Sequence, residues 1–377
     1  MNGKDRRVRI CILSMQRVPN FGSVLQSYSL KKILTEMGHD VSFLDIEPRE
    51  HENTLIQGHT EDFSAECDRG GFLAKIRKID RYAWNRLRIK KASARQNEVF
   101  DRFVTDTLGV ADPCEQYDLC IIGSDEVFNC ASGSRWGFTT QLFGDVKNAS
   151  NVVTYAASCG ATTLAQLPQS AIAAIRNALN CISHFSVRDD NTDQFVKALT
   201  DKDVLRHADP VIIGNFDEEI AKCDISDKVP SRYCIVYSYY NRIHDPAEIS
   251  AIQAFCRKYS LEIVSVGAPQ MWIKNHLVLT PFEALAAFKN AAFVITDTFH
   301  GTIFSVKYAK RFVTITRPSN ANKMKSLIKD LGIEKHYAKD MSDPERAYTQ
   351  DKDQAHIDAF SLQEREKAIQ YLTQITQ

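Results

Sequence analysis

Residues 8–44 read VRICILSMQRVPNFGSVLQSYSLKKILTEMGHDVSFL, and this stretch decides the fold. Val8 to Leu13 is a short apolar run of strand type, and Met15 to Gly22 is a loop. From Ser23 to Met37, Val24, Tyr28, Leu30, Ile33 and Leu34 recur at helical spacing. Gly38 stops that helix, and Val41 to Leu44 is a second apolar run. Strand, helix and strand within this length form a βαβ unit, which implies a parallel sheet with crossover helices on its faces.

The same alternation continues outward. Strands are expected at 119–122, at 151–155 and in the run that ends at Arg188, with helices at 169–179 and 192–199. Asp209 to Gly214 closes this half, and the polar stretch 215–230 reads as a linker. A second α/β half follows, with strands at 233–237, 262–266, 293–296 and 312–316. Its helices are expected at 246–259, 281–289 and 299–310. Ser361 and Glu364 read as a capping box opening a last helix, with Ile369, Leu372 and Ile375 on one side. The expected fold class is α/β: two Rossmann-like domains facing across a cleft. Residues 1–215 form the first, with a charged insert at 45–115; residues 230–340 form the second, and 341–377 a helical tail.

A chain of 377 residues suits a prior of about two such domains. Its 47 basic residues balance 47 acidic ones, which argues against a nucleic-acid binder with a net basic field. No apolar run approaches the ~20 residues of a membrane span. Lys4, Arg6 and Arg7 precede an apolar run that Arg9 interrupts, too short for a secretory signal. The 10 cysteines are scattered without a CxxC pair, so a reducing cytoplasm is expected, and no zinc site. The zero balance is a sum of opposites. Residues 45–68 carry eight acids against one cation, residues 72–95 nine cations against Asp80 alone, and 298–329 seven cations with no acid. Ile76, Ile79, Ala83 and Leu87 share one face of the 72–95 stretch, making it a basic amphipathic helix. Its expected partner is the acidic segment before it; the alternative is peripheral contact with anionic lipid.

Chemistry is expected where apolar strands run into turns. Thr296-Asp297-Thr298-Phe299-His300-Gly301-Thr302 stands at a strand-to-helix turn, whose first backbone N–H groups suit an anion. Gly301 would let a ligand approach closely, and a histidine in such a turn is hard to explain by packing. Lys307, Lys325 and Lys329 beyond it read as a solvated face. Gly123-Ser124-Asp125-Glu126-Val127-Phe128-Asn129 follows a buried strand, and its carboxylates suit hydroxyl binding or base catalysis, unless Ser124 or Asp125 only caps a turn. Arg188 ends an apolar strand, where its guanidinium can hold a carboxylate or phosphate, or pair at the surface with Asp189 or Asp190. Asn20-Phe21-Gly22-Ser23 leads into a helix N-terminus but lacks the GxGxxG of a dinucleotide site.

These segments, with Tyr155-Ala156-Ala157-Ser158 and Asp209-Pro210-Val211, occur in an order that resembles the polysaccharide pyruvyl transferase family. The likeness runs from about Ile10 to the last helix. It implies a GT-B-like pair of domains and transfer of pyruvate from phosphoenolpyruvate, as co-substrate, to a sugar of a lipid-linked or polymeric glycan. The product would carry a cyclic pyruvate ketal. Phe128 stands where the family often has Trp, and Thr298 where it has Ser. On this likeness His300, Asp125 and Glu126 are the expected catalytic groups. Arg188, Thr298, His300, Gly301, Thr302 and Lys323 would bind the donor. Asn20, Gly22, Ser23, Asp125, Phe128 and Asn129 would bind the acceptor, with Phe128 stacking on the sugar. Ketal formation from an enol phosphate calls for an acid, a base and anion-holding groups, so no metal or cofactor is expected. The location would be cytoplasmic, at or near the inner face of the membrane. Two other readings stay open: a GT-B glycosyltransferase using a nucleotide sugar, and a glycan-binding member without turnover.

Overall fold

The opening segment forms the expected unit: β1 (Arg9–Leu13) pairs in parallel with β2 (Asp40–Leu44) through the crossover helix α1 (Phe21–Glu36), with Ile10 opposite Val41. The computed structural model describes residues 7–53, 55–56, 74–112, 114–130, 137–317, 321–341 and 344–377. β3 (Tyr117–Asp125), β4 (Ala149–Ala157), β5 (Ile182–Val187) and β6 (Val204–Arg206) complete a parallel sheet in the order β2-β1-β3-β4-β5-β6. A second sheet holds β7 (Tyr233–Tyr237), β8 (Glu262–Ser265), β9 (Asn275–His276), β10 (Phe293–Thr296), β11 (Phe312–Ile315) and β12 (Tyr337–Ala338). Its order is β12-β11-β10-β7-β8-β9, again all parallel. Helices cover both faces, so β7, β10 and β11 are buried along their whole length. That is why these strands read as continuous apolar runs rather than alternating ones. The fold class is therefore α/β, with two Rossmann-like, GT-B-like halves.

Several boundaries differ from expectation. The basic helix, α2 (Ala74–Phe103), is longer than its charge run. Its Lys75 and Arg81 side chains lie outside the described residues, as do residues 57–68 of the acidic stretch and 69–73 after it. Arg88 donates to the backbone oxygens of Ile273 and Lys274 in the second half. Gln96 makes a reciprocal pair with the backbone of Leu279, at 2.9 and 3.0 Å. Thus α2 leaves the first half and fastens to the second.

The segment at Asp209 is a short helix, α4 (Pro210–Ile213), following α3 (Asp190–Lys197). Proline at its first position and Asp209 accepting from Val211 N at 2.9 Å account for its start. Lys307 lies on α5 (Phe299–Tyr308) and donates to the oxygens of Val211 and Ile212 at 2.8 and 2.9 Å, and to that of Gly214. It therefore caps α4 across the two halves instead of facing solvent, and burial pushes its ammonium down to about 8. Lys325 and Lys329 are exposed.

The last helix, α6 (Gln354–Ile375), starts at an Asp353 cap that accepts from His356 N. Ser361 and Glu364 are therefore in mid-helix, and the expected capping box does not form. Helix-compatible residues run upstream to an earlier cap, which takes precedence over the later signature. Tyr348 packs on Phe255 and Phe293 of the second half. The Tyr371 hydroxyl, by contrast, donates to Thr154 O at 2.8 Å, and Arg365 to Ile213 O at 2.9 Å. The tail thus crosses back to the first half. Among the described residues, no helix is long and apolar enough to cross a membrane.

Candidate active site

In an open parallel sheet, the crevice lies beyond the carboxyl ends of the two strands where the order reverses. Those strands are β1 and β3 in the first half and β7 and β10 in the second. Asn20, Asp125, Tyr239 and His300 follow them in the chain, so topology brings four loops to one place.

Asn20 caps α1 by accepting from Ser23 N at 2.8 Å. The Ser23 hydroxyl donates to Asp125 Oδ2 at 2.6 Å. Asp125 itself has a φ of 76°, a left-handed backbone that few non-glycine residues adopt and that fixes where its carboxylate points. The other oxygen is 3.9 Å from Arg188 Nη1. Arg188 donates to Asp209 Oδ2 at 2.8 Å, and its guanidinium lies 4.5 Å over the ring of Phe299. Arg188 Nε is buried with no hydrogen-bond partner among the described residues. His300 Nε2 is 3.3 Å from the same Asp209 oxygen without forming an aligned hydrogen bond. Burial would raise the Asp209 carboxyl, but the charges of His300 and Arg188 outweigh it and hold the group far below the usual carboxylate range. Asp209, Arg188 and Asp125 come from the first half and His300 from the second. Within the described residues, no group of three or more His, Cys, Asp or Glu side chains is placed to hold a metal.

The expected site residues divide under this geometry. His300, Arg188, Asp125 and Ser23 meet, with Thr298 capping α5 beside them by accepting from Gly301 N at 3.0 Å. Gly22 serves His300, not a ligand: a Cβ there would lie 2.2 Å from His300 Nδ1. Gly301 is a packing glycine too, since a Cβ would lie 2.1 Å from Thr296 Oγ1 and 2.6 Å from the Tyr237 ring. Thr302 turns inward to Thr314 Oγ1 at 2.6 Å, tying α5 to β11, so its side chain is not a donor ligand. Phe128 is fully buried and stacked on Phe143, with centroids 5.0 Å apart, so it cannot stack on an acceptor sugar. Its place in an apolar cluster beneath the loop explains why an aromatic is needed there. Asn129 donates to Glu126 Oε2 at 2.7 Å and accepts from Thr162, bracing the loop. The Lys323 side chain lies outside the described residues.

The seven cations of 298–329 do not form one pocket. Lys307 caps α4, Arg311 lies over Tyr348, and Arg317 pairs with Asp297 at 3.0 Å and Glu248 at 2.7 Å. Nor is Arg188 paired with Asp189 or Asp190. Asp189 caps α3 and accepts from Ser158 at 2.6 Å, while Asp190 pairs with Arg206.

Sequence reasoning passed over Asp209 and Phe299 as functional groups, though both lie in quoted motifs. An acid before proline at the end of an apolar half was the available signal for Asp209. No local signal marks Phe299, whose role depends on a residue 111 positions away (299 − 188). Two cavities flank the cluster. One, of about 350 Å³, is lined by Arg188, Arg206, His207, Asp209, Phe299 and Lys367 among others. The other, of about 370 Å³, opens above Asn20, Thr298 and His300.

Comparisons with known proteins agree with the motif order. The family model described as polysaccharide pyruvyl transferase matches residues 20–320. No curated protein matches the chain. Among solved structures, an alpha-glucosyltransferase in complex with UDP and DNA is 12% identical, covering 97% of this chain and 95% of its own, with a TM-score of 0.45. A Streptomyces sp. SF2575 glycosyltransferase complexed with thymidine diphosphate is 10% identical, covering 98% and 100%, with a TM-score of 0.44. The S. aureus MnaA–UDP structure is 10% identical, covering 95% and 88%, with a TM-score of 0.43.

Proposed function

Because this chain belongs to the polysaccharide pyruvyl transferase family, we propose that it transfers pyruvate from phosphoenolpyruvate to two hydroxyls of one glycan sugar. The product is a cyclic ketal, with inorganic phosphate released. The observation that carries this reading is the cluster across the cleft, where one buried carboxylate, Asp209, lies beside both Arg188 and His300.

His300 as imidazolium gives a proton to the methylene carbon of the donor, and C2 becomes an oxocarbenium centre. Arg188 faces the donor's anionic groups, its unpartnered Nε being the available donor atom. The first sugar hydroxyl adds to C2 and its proton passes to Asp125, which Ser23 holds in place. The C2–O bond to phosphate breaks, and phosphate leaves with the bonding electrons and the proton from Asp125. The second hydroxyl then attacks C2, closing the ketal and returning a proton to His300. Glu126, engaged by Asn129, orients the loop beside this base.

The test is phosphate release from phosphoenolpyruvate across a panel of lipid-linked and nitrophenyl glycosides. Replacing His300→Gln should lower turnover by about 10²–10⁴-fold, the usual worth of a general acid. Full turnover in that variant would overturn the assignment. Thermal stabilisation by nucleotide sugars but not by phosphoenolpyruvate would replace the reading with glycosyl transfer.

A further inference from the structure

The two cavities beside the cluster differ in chemistry. The 350 Å³ cavity is lined by charged groups of both signs, including the guanidinium groups of Arg188 and Arg206. None of the described side chains lining the 370 Å³ cavity is Asp, Glu, Lys or Arg. Apart from His300 at one end, an enol phosphate with a phosphate and a carboxylate would find no cation in that lining, and neither would a nucleotide diphosphate. What the lining does offer is amide, hydroxyl and aromatic surface, the complement of a neutral polyhydroxylated ring. Its volume falls at the small end of the roughly 300–1,000 Å³ of ligand pockets, enough for a short saccharide.

The aromatic part is unusual for this surface. Tyr239 and Tyr240 are 52% and 54% exposed, the only aromatic residues among the exposed large apolar side chains of the described residues. They are adjacent, follow β7 at the switch point, and both line this cavity. Single exposed aliphatics need no explanation, but two neighbouring tyrosines at a cleft do. The Tyr239 ring is half open, yet its hydroxyl is pushed up to about 12, first by burial and then by Glu126 and Asp125 across the cleft. The Arg242 guanidinium lies 4.5 Å over one face of the ring, which leaves the other face for a sugar. The opposite wall is α2, whose Ser93, Gln96, Asn97 and Phe100 line the cavity at the i, i+3, i+4, i+7 spacing of one helical face. Gln96 fastens this wall to Leu279, so the helix face is held at a set distance from the tyrosines.

We infer that this cavity is the acceptor subsite, in which a pyranose ring packs on Tyr239 and Tyr240 and presents its hydroxyls to Asn97, Asn20 and the His300 end of the cleft. The inference rests on the pyruvyl-transfer reading and deepens it. It also moves the acceptor from the first half alone, as the sequence suggested, to loops of the second half and to α2. The insert carrying α2 then acts as a specificity element, since Asn97 and Ser93 are the residues by which one wall would distinguish sugars.

The test separates the two substrates. Binding of phosphoenolpyruvate is measured by calorimetry, and binding of a panel of nitrophenyl pyranosides by saturation-transfer NMR. Both are applied to the wild type, to Tyr239→Ala/Tyr240→Ala and to Asn97→Arg, each with an unchanged melting temperature. Glycoside affinity should fall at least tenfold in both variants while phosphoenolpyruvate affinity stays within twofold. A variant that loses phosphoenolpyruvate and keeps glycosides would make this the donor cavity and overturn the inference. So would unchanged glycoside affinity, or a wild type that binds no glycoside of the panel. Glycosides bound by the wild type and lost in the variants, with no phosphoenolpyruvate binding anywhere, would sink the donor reading and leave the saccharide subsite standing.

Discussion

Gly22 shows how much one missing carbon can decide. A Cβ at this position would lie 2.2 Å from Nδ1 and 2.4 Å from Cγ of His300, close to the ring's attachment, so the imidazole could not remain where it is. Gly22→Ala should therefore move His300 away from Asp209 and lower turnover by about 10²-fold, the penalty of a misplacement near 1 Å. Unchanged phosphate release in Gly22→Ala would show that the ring has another productive position. This contact joins α1 of one half to α5 of the other, and nothing local in Asn20-Phe21-Gly22-Ser23 announces it. Phe128 teaches the converse. An aromatic beside two carboxylates suggests a sugar platform, yet the backbone turn at Asp125 carries the acids to the cleft and sends Phe128 into the core beneath. Sequence neighbours in a tight turn face different ways, so reading function from adjacency fails there. That His300, Arg188 and Asp125 stand near a crevice was legible because each lies at or just past the end of a strand run that could be read locally.

At the scale of elements, charge runs were the least faithful guide. Lys307 belongs to a stretch of cations that reads as solvated, but it reaches three carbonyl groups at the end of α4. Lys307→Met keeps the length and removes the donors. It should destabilise the fold by about 2 kcal/mol, the unmet carbonyls outweighing the relief of burying an ammonium. Urea denaturation measures this, and equal midpoints for the two proteins would show that water replaces the lysine. The basic helix α2 gives a similar lesson. Of the expected apolar face Ile76, Ile79, Ala83 and Leu87 only the Leu87 side chain is described, and it is exposed; the helix is fastened instead by Arg88, which goes to backbone oxygens at 273 and 274, residues 185 and 186 positions away. Periodicity marks a face that could be buried; it reports neither that it is nor what the helix is fastened to. The final helix shows the limit of capping signatures, because Asp353 accepts from His356 N and starts the helix before Ser361 is reached.

For the whole molecule, buried histidines link stability to pH. Desolvation holds His207, packed between Tyr155 and Tyr371, at about 4, and His276 likewise at about 4. Both rings are neutral in the fold at neutral pH, whereas in the unfolded chain they take protons near pH 6.5. Between about pH 6.5 and 4 the unfolded chain binds protons that the folded one does not, so stability falls as pH is lowered through this window, by about 1–3 kcal/mol per ring. Asp209 adds a second loss below about pH 4, because its carboxylate is stabilised only in the fold. Denaturation midpoints at pH 7 and pH 5 should differ in the wild type and differ less in His207→Gln, where His276 alone keeps the dependence; an equal difference in both proteins would remove His207 from the account. The sequence by itself determined the strand-and-helix alternation, the two α/β halves and the turns that carry His300, Asp125 and Arg188. It could do so because parallel strands buried on both faces write themselves as apolar runs, and their ends are where crevices form. Only the tertiary structure decided which charges neutralise one another, which aromatic is core and which is open, and that α2 and α6 cross between halves. Those outcomes depend on pairings between residues often more than a hundred positions apart, and no local pattern encodes such a pairing.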